Sequence, residues 1–292
     1  MIKDRNGEIV VTNEKQNILL KKLYGTVCGR VILKALTAPA VSKAAGAFMD
    51  SRLSVPLIKR FIKSSGIDTS QYVMKKFRSY NEFFTRRVKR GMRPIDRMPS
   101  HFISPCDSKL TVYKIDKSSV FRIKGSRYRV SDLIQNDFLA KRYEGGYCMI
   151  FRLEVDDYHR YCYIDSGTKT ENTFINGELH TVNPIALEHY NIYKRNCREY
   201  TVLHTENFGD VVQIEVGAMM VGRIVNRHGA AEVVRGEEKG KFEFGGSTIV
   251  LLVQEDMIRI DDDILRNSAE NVETVVKYGE KVAINNGILK GC

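Results

Sequence analysis

Four short segments of the chain combine reactive side chains with turn residues. Residues 104–108 (Ser-Pro-Cys-Asp-Ser) place Asp107 in a turn ahead of an apolar run. A turn aspartate commonly bonds its own backbone. Residues 156–162 (Asp-Asp-Tyr-His-Arg-Tyr-Cys) put two carboxylates, the His159 imidazole and the Cys162 thiol within one short stretch at the end of an apolar strand. Proton transfer needs such groups together, because a neighbouring carboxylate orients an imidazole and shifts its pKa. His159 and Cys162 are also half of a zinc ligand set, but the companion pair is missing and no metal is expected.

The third segment, residues 216–223 (Val-Gly-Ala-Met-Met-Val-Gly-Arg), is apolar with two glycines, as where one backbone crosses close to another. The fourth, residues 242–249 (Phe-Glu-Phe-Gly-Gly-Ser-Thr-Ile), leads into an aliphatic strand. It is not the nucleophile elbow of an α/β hydrolase, because Ile249 stands where the last glycine of G-x-S-x-G belongs. What it permits is chemistry on the chain itself. Gly245 and Gly246 lack Cβ, so the backbone can adopt a conformation that exposes the Gly246 carbonyl to the Ser247 hydroxyl, and a nearby base would favour an N→O acyl shift.

The elements that position these groups fall into two textures. Before about residue 100, apolar residues recur at three-to-four spacing: Ile18, Leu19 and Leu23 in one stretch, then Val55, Leu57, Ile58 and Ile62 in another that opens on Ser54 as cap and Pro56. Residues 28–49 between them are apolar but interrupted by Arg30, Lys34 and Lys43 and bent by Pro39, which reads as an amphipathic helix pair. After residue 100 come β-rich runs over 110–115, 147–155, 168–175, 200–203, 211–216 and 248–253, with helical inserts over 131–140, capped by Ser131, and 184–193. The fold class expected is α+β: a basic helical region over 1–97, then a mostly antiparallel β body with short helical inserts over 98–292.

Charge follows the same division. The 292 residues carry 46 Lys+Arg against 35 Asp+Glu, a net +11. Residues 1–97 hold 21 basic and 7 acidic side chains, or +14, which leaves −3 for the remainder. A basic third of this kind points to a polyanionic partner, nucleic acid or an anionic membrane. The longest uncharged stretch, Phe244 to Gln254, has 11 residues, well short of the roughly 18 that a spanning helix needs. The opening residues lack the apolar core of a secretion signal, and the six cysteines (28, 106, 148, 162, 197 and 292) include no CxxC pair. Both features suit a reducing compartment.

From about residue 78 to the end, the chain resembles the phosphatidylserine decarboxylase family, pyruvoyl-dependent enzymes that mature by self-cleavage. The resemblance rests on six ordered motifs: Phe83, Phe84 and Arg86 continuing to Arg93-Pro94; Ser104-Pro105 with Asp107; Asp157-Tyr158-His159-Arg160; Gly177 to Val182-Asn183-Pro184; Gly217-Ala218 with Val221-Gly222; and Gly236 to Gly240 leading to Gly246-Ser247-Thr248. It implies that Ser247 attacks the Gly246 carbonyl and that β-elimination and hydrolysis then leave a pyruvoyl group on a small chain, 247–292, separate from a large chain, 1–246. It further implies an Asp-His pair that activates the serine, with Asp107 as the aspartate. The pyruvoyl ketone would form a Schiff base with phosphatidylserine and accept the electrons released as CO2 departs, giving phosphatidylethanolamine.

Two positions depart from the family pattern. Gly245 replaces the usual leucine of Leu-Gly-Ser-Thr, and His159-Arg-Tyr-Cys162 replaces His-x-x-His, so the second imidazole is missing. Cys162 would serve as a weaker base only with a depressed pKa, and His180 is the alternative, reaching Ser247 beside Asp107. Arg160 and Arg198 are candidates for the substrate phosphate on charge alone. The expected setting is peripheral, on the cytoplasmic side of the cell membrane, with phosphatidylserine in an anionic surface as partner. The two chains associate after cleavage, with a homodimer as a further form. Two rival readings remain: a lipid-binding relative that does not self-cleave, and a basic nucleic-acid-binding protein using residues 86–93 as a phosphate strip. The latter gives Gly246 and Ser247 no role.

Overall fold

A computed structural model describes residues 1–10, 39–123, 126–177, 193, 196–217, 223–244 and 247–287. The helix expected around residues 18–23, the first part of the 28–49 pair, the 184–193 insert, His180, Gly245 and Gly246 lie outside the described residues.

The protein is built on one large sheet whose centre is four long strands, β3 (Ser108–Lys114), β6 (Tyr147–Leu153), β15 (Ser247–Val253) and β11 (Asp210–Val216). β6, β11 and β15 run as largely apolar stretches because both faces are covered. β17 (Glu273–Val276) pairs with β3 and, in parallel, with β1 (Ile2–Lys3). On the other side of β11 lie β10 (Arg198–Thr205), β8 (Gly167–Lys169), β13 (Ala231–Val233) and, also against β10, β9 (Thr173–Ile175). Successive side chains alternate between faces. Leu110, Phe151, Leu153, Ile249 and Leu251 therefore share one core with Tyr158, Cys162 and Phe242. Ile150, Val250, Leu252 and Ile214 share the other with Tyr128, Leu133 and Tyr143.

That second core is roofed by the hairpin β4 (Val120–Ile123) and β5 (Ser126–Arg129). Two short helices follow it, α4 (Val130–Ile134) and α5 (Asp137–Lys141). The first core is covered by β12 (Ile224–Asn226), β14 (Glu238–Phe242) and β7 (Arg160–Cys162), and by β16 (Ile258–Ile260), β18 (Lys281–Asn285) and β2 (His101–Ile103). α6 (Asp262–Ala269) packs on β3 and β17. Mostly antiparallel strands with short helices give the α+β class read from the sequence.

Three local expectations need correction. The single helix over 131–140 is two helices, broken at Gln135 with φ 50°. Ser131 caps neither: the first begins after Arg129 without a side-chain cap, and Asn136 caps the second by accepting from the Leu139 N–H at 2.9 Å. The single strand over 168–175 is two, because the Thr170 hydroxyl accepts from the Val202 N–H at 3.0 Å and so takes a ladder bond from the backbone.

Near the N-terminus, α1 (Pro39–Asp50) leads to α2 (Val55–Ser65), which ends at Gly66 in the left-handed region at φ 70°. Ser54 precedes α2 but makes no cap bond. Its hydroxyl donates toward the Ser51 carbonyl at 2.7 Å and accepts from the Tyr80 N–H at 2.8 Å, joining α2 to α3 (Tyr80–Phe84). Ile58, Phe77, Tyr80, Phe83 and Phe84 form a third, aromatic core there.

Candidate active site at one end of the central sheet

Ser247 is the first residue of β15 and pairs in register with Leu153, the last of β6. Its hydroxyl is fully buried and has no hydrogen-bond partner among the described residues. Beyond Leu153 the chain turns through residues 154–157, where the Asp157 carboxylate accepts from the Glu154 N–H at 2.7 Å and from Lys109 Nζ at 2.6 Å. Lys109 also lies 3.2 Å from Glu154, so this turn is pinned by a buried cation, and burial of that cation is outweighed by its two carboxylates, which hold it protonated. The chain then returns at His159, whose carbonyl accepts from the Phe242 N–H at 2.9 Å. Residues 153–159 thus form a short circuit, tied at one end by the Ser247 and Leu153 register pair and at the other by the Phe242 to His159 bond.

Inside that circuit His159 has a defined protonation state. Its Nδ1 lies 3.0 Å from the Asp157 carbonyl oxygen and so carries the hydrogen, which leaves Nε2 with a lone pair. Nε2 is buried and without a partner among the described residues. Burial first, then the charge of Arg86, pushes the imidazole pKa down to about 3. Phe84 lies 4.0 Å away, centroid to centroid, and Phe244 packs edge-on against Phe84 at 5.4 Å. Phe244 is anchored by its N–H, which donates to Asn81 Oδ1 at 3.0 Å, and Asn81 in turn donates to Asp50 at 2.8 Å. Helix α3 supplies both Phe84 and Asn81, and its start is fixed by Ser79, which accepts from the Glu82 N–H at 3.1 Å.

Asp107 and Cys162 belong to a neighbouring cluster. Asp107 is buried and bound side-on by Arg93, through Nε at 2.8 Å and Nη2 at 2.6 Å, and it accepts from the Tyr278 N–H at 2.9 Å. Cys162 donates its N–H to the Pro105 carbonyl at 2.9 Å, and its sulfur lies 3.9 Å from the Ser104 carbonyl. Burial pushes its thiol up to about 12, so it is uncharged near neutrality. β3 and β15 flank β6, so Asp107, just before β3, and Ser247, opening β15, lie at the same end of the sheet with backbones two strand spacings apart, about 10 Å.

The structure therefore brings Ser247 and His159 into one circuit and Asp107 and Cys162 into another. His180 and Gly246 lie outside the described residues. Arg198 is taken up by the carbonyls of Leu133, Asn196 and Asp132 at 2.6, 2.9 and 2.8 Å, so it serves the second core rather than a phosphate. Arg160 is held by the Thr85 carbonyl and by Glu238 at 2.9 and 2.7 Å. Reading the sequence did not assign Arg93, Lys109, Asn81 or Tyr278. Only Arg93 carried a signal, as part of the Arg93-Pro94 motif.

Ser247 thus opens a central strand with its hydroxyl buried, and the neutral His159 imidazole stands at the close of the turn that follows the paired strand β6. The chain belongs to the phosphatidylserine decarboxylase family, whose model matches residues 80–284. It is 46% identical over 280 residues to the phosphatidylserine decarboxylase proenzyme 2 of Clostridium acetobutylicum, covering 96% of each chain. It is 43% identical over 278 residues to the phosphatidylserine decarboxylase proenzyme of Ruminiclostridium cellulolyticum, covering 93% of this chain and 92% of that one. These relatives lend no support to the nucleic-acid reading.

Proposed function

We propose that the chain is a precursor that cleaves itself between Gly246 and Ser247 and then decarboxylates phosphatidylserine to phosphatidylethanolamine. The observation that carries this reading is the pair of buried atoms without a hydrogen-bond partner among the described residues, Ser247 Oγ and His159 Nε2, at the two ends of one short circuit of chain. His159 Nε2 takes the Ser247 hydroxyl proton as Oγ attacks the Gly246 carbonyl, and returns it to the departing amide nitrogen, so the peptide becomes an ester. Loss of the Ser247 α-proton then expels the Gly246 carboxylate, and the resulting dehydroalanine takes up water and releases ammonia.

The position suits the pyruvoyl group that remains. Ser247 Oγ makes no hydrogen bond among the described residues that the conversion would break, and the Phe84 and Phe244 rings offer an apolar wall to a neutral ketone. A pyruvoyl group supplies an electron sink for the pair released when CO2 leaves. The chain's own residues hold that position through the β6 and β11 ladders on either side of β15, exclude water with the aromatic wall, and keep a neutral imidazole ready for proton transfer.

Intact mass of the purified protein tests the reading. The expected result is a 246-residue chain and a 46-residue chain (292 − 246), together weighing the precursor plus water less ammonia. The small chain should resist N-terminal sequencing and be trapped on phosphatidylserine by borohydride. A single full-length species would overturn it.

The helical end supports attachment to an anionic membrane. Val41, Phe48 and Leu53 stand exposed, Leu53 at 77%, among the exposed cations Lys43, Arg52, Lys59, Arg60 and Lys63. No helix among the described residues is long and apolar enough to cross a membrane, so the contact would be interfacial. Each cation near an anionic leaflet adds about 1 kcal/mol. Leu53→Glu should therefore lower co-sedimentation with phosphatidylserine-containing vesicles at least fivefold without changing self-cleavage. Equal binding to purely zwitterionic vesicles would count against the charge-based account.

A further inference from the structure

One cation beside the site has no counter-ion among the described residues. Arg86 follows α3, is 2% exposed, and uses only Nη2, which donates to the Asp156 and Asp157 carbonyls at 2.8 and 3.3 Å. Its Nε and Nη1 are buried with no hydrogen-bond partner among the described residues. Three of the five N–H donors of a guanidinium are therefore idle, and no carboxylate among the described residues pairs with it. The group is held in place by the Tyr72 and Phe83 rings, whose centroids lie 4.2 and 5.1 Å from its Cζ. It is close enough to His159 to contribute to that residue's low pKa.

A buried cation with idle donors is costly in the uncut chain, and the cost is offset only in a state that brings an anion to it. Building on the function proposed above, we propose that Arg86 binds the phosphodiester of the substrate headgroup. The headgroup offers two anions. The carboxylate must leave as neutral CO2, so a cation fixed on it would stabilise the charge that the reaction removes; the phosphodiester keeps its charge throughout, so binding it costs nothing at the transition state. The carboxylate is then left to the aromatic side of the site, against Phe84 and Phe244. In the uncut chain these groups are all sealed together, and cutting after Gly246 places Phe244, part of that seal, two residues from a chain end.

The test uses the processed enzyme and a soluble short-chain phosphatidylserine. Arg86→Gln should raise KM at least tenfold while kcat stays within threefold, with Arg86→Lys intermediate. Glycerophosphoethanolamine, which has the phosphodiester but no carboxylate, should inhibit the wild type and lose at least tenfold in potency against Arg86→Gln. An unchanged KM, or undiminished inhibition, overturns the proposal. So does a fall in kcat at constant KM in Arg86→Lys, or failure of both variants to fold, since either would make Arg86 a staple for the 156–157 turn. A wild-type chain that never cuts would instead overturn the proposed function, which keeps the two failures apart.

Discussion

Ser247→Ala is expected to yield a single 292-residue chain with no decarboxylase activity, and with thermal stability equal to or above that of the uncut wild type. The first part follows from chemistry, since no other atom at that position can accept the Gly246 acyl group. The second follows from packing. The Ser247 hydroxyl is buried without a partner among the described residues, so deleting it removes a desolvated polar group, where removing a hydroxyl that held a bond usually costs about 1 kcal/mol. Intact mass and a melting curve on the same sample check both parts. A variant that still cuts would move the scissile bond elsewhere. A variant that fails to fold would show that the hydroxyl carries structural weight that the described contacts do not reveal.

His159→Gln should slow self-cleavage by about 10²- to 10⁴-fold, the usual worth of a positioned general base. Cys162→Ala should leave the rate within threefold, because a thiol held near 12 is protonated and idle at neutral pH. His180→Gln, tested beside them, decides whether a second imidazole shares the task; a large loss there with little loss at His159 would reverse the assignment. The pH profile separates the accounts further. With its pKa lowered from 6.5 to about 3, His159 remains a neutral base throughout the mildly acidic range, so the cutting rate should show no inflection near pH 6.5.

The same shift carries a stability signature. Between about 3 and 6.5 the unfolded chain binds a proton at this position that the folded chain does not, so stability falls as pH drops through 6.5 and goes on falling toward 3. The slope is about 1.4 kcal/mol per pH unit from this one group, and it should be missing from His159→Gln.

Much of the scaffold is legible in residue patterns. β6, β11 and β15 announce themselves as apolar runs, and the α2 helix by its spacing and its early proline. Asp107, His159, Cys162 and Ser247 also draw notice in the sequence, since they stand in segments dense in reactive groups. Their grouping was not legible. His159 and Cys162 look like a pair in sequence, but a spacing of three along an extended strand sends the two side chains to opposite sides. Cys162 accordingly meets Ser104 and Tyr278, while His159 meets Phe84. The partners of Asp107 are not its sequence neighbours: Arg93 reaches it from 14 residues earlier and Tyr278 from 171 later. Contacts of that range are decided by strand register, which no local pattern encodes.

The position of β15 would have a consequence for the life of the protein after the proposed cut. Residues 247–287 supply β15 between β6 and β11 and β17 between β1 and β3. Glu273 of that segment is clasped by Arg152 at 2.6 Å, and Asp263 by Arg5 at 2.5 Å. Residues 247–287, the described part of the proposed small chain, are threaded through the sheet rather than laid on it. Before the cut, these strands find their places within one molecule, and refolding is first order. Afterwards the same strands would have to meet from solution, two partners at their bulk concentration, each exposing an unpaired hydrophobic edge meanwhile. The proposed cut would therefore erase the route by which the structure was made. Once unfolded and diluted, the mature protein should recover poorly where Ser247→Ala recovers well, so its working lifetime is set by how slowly it unfolds.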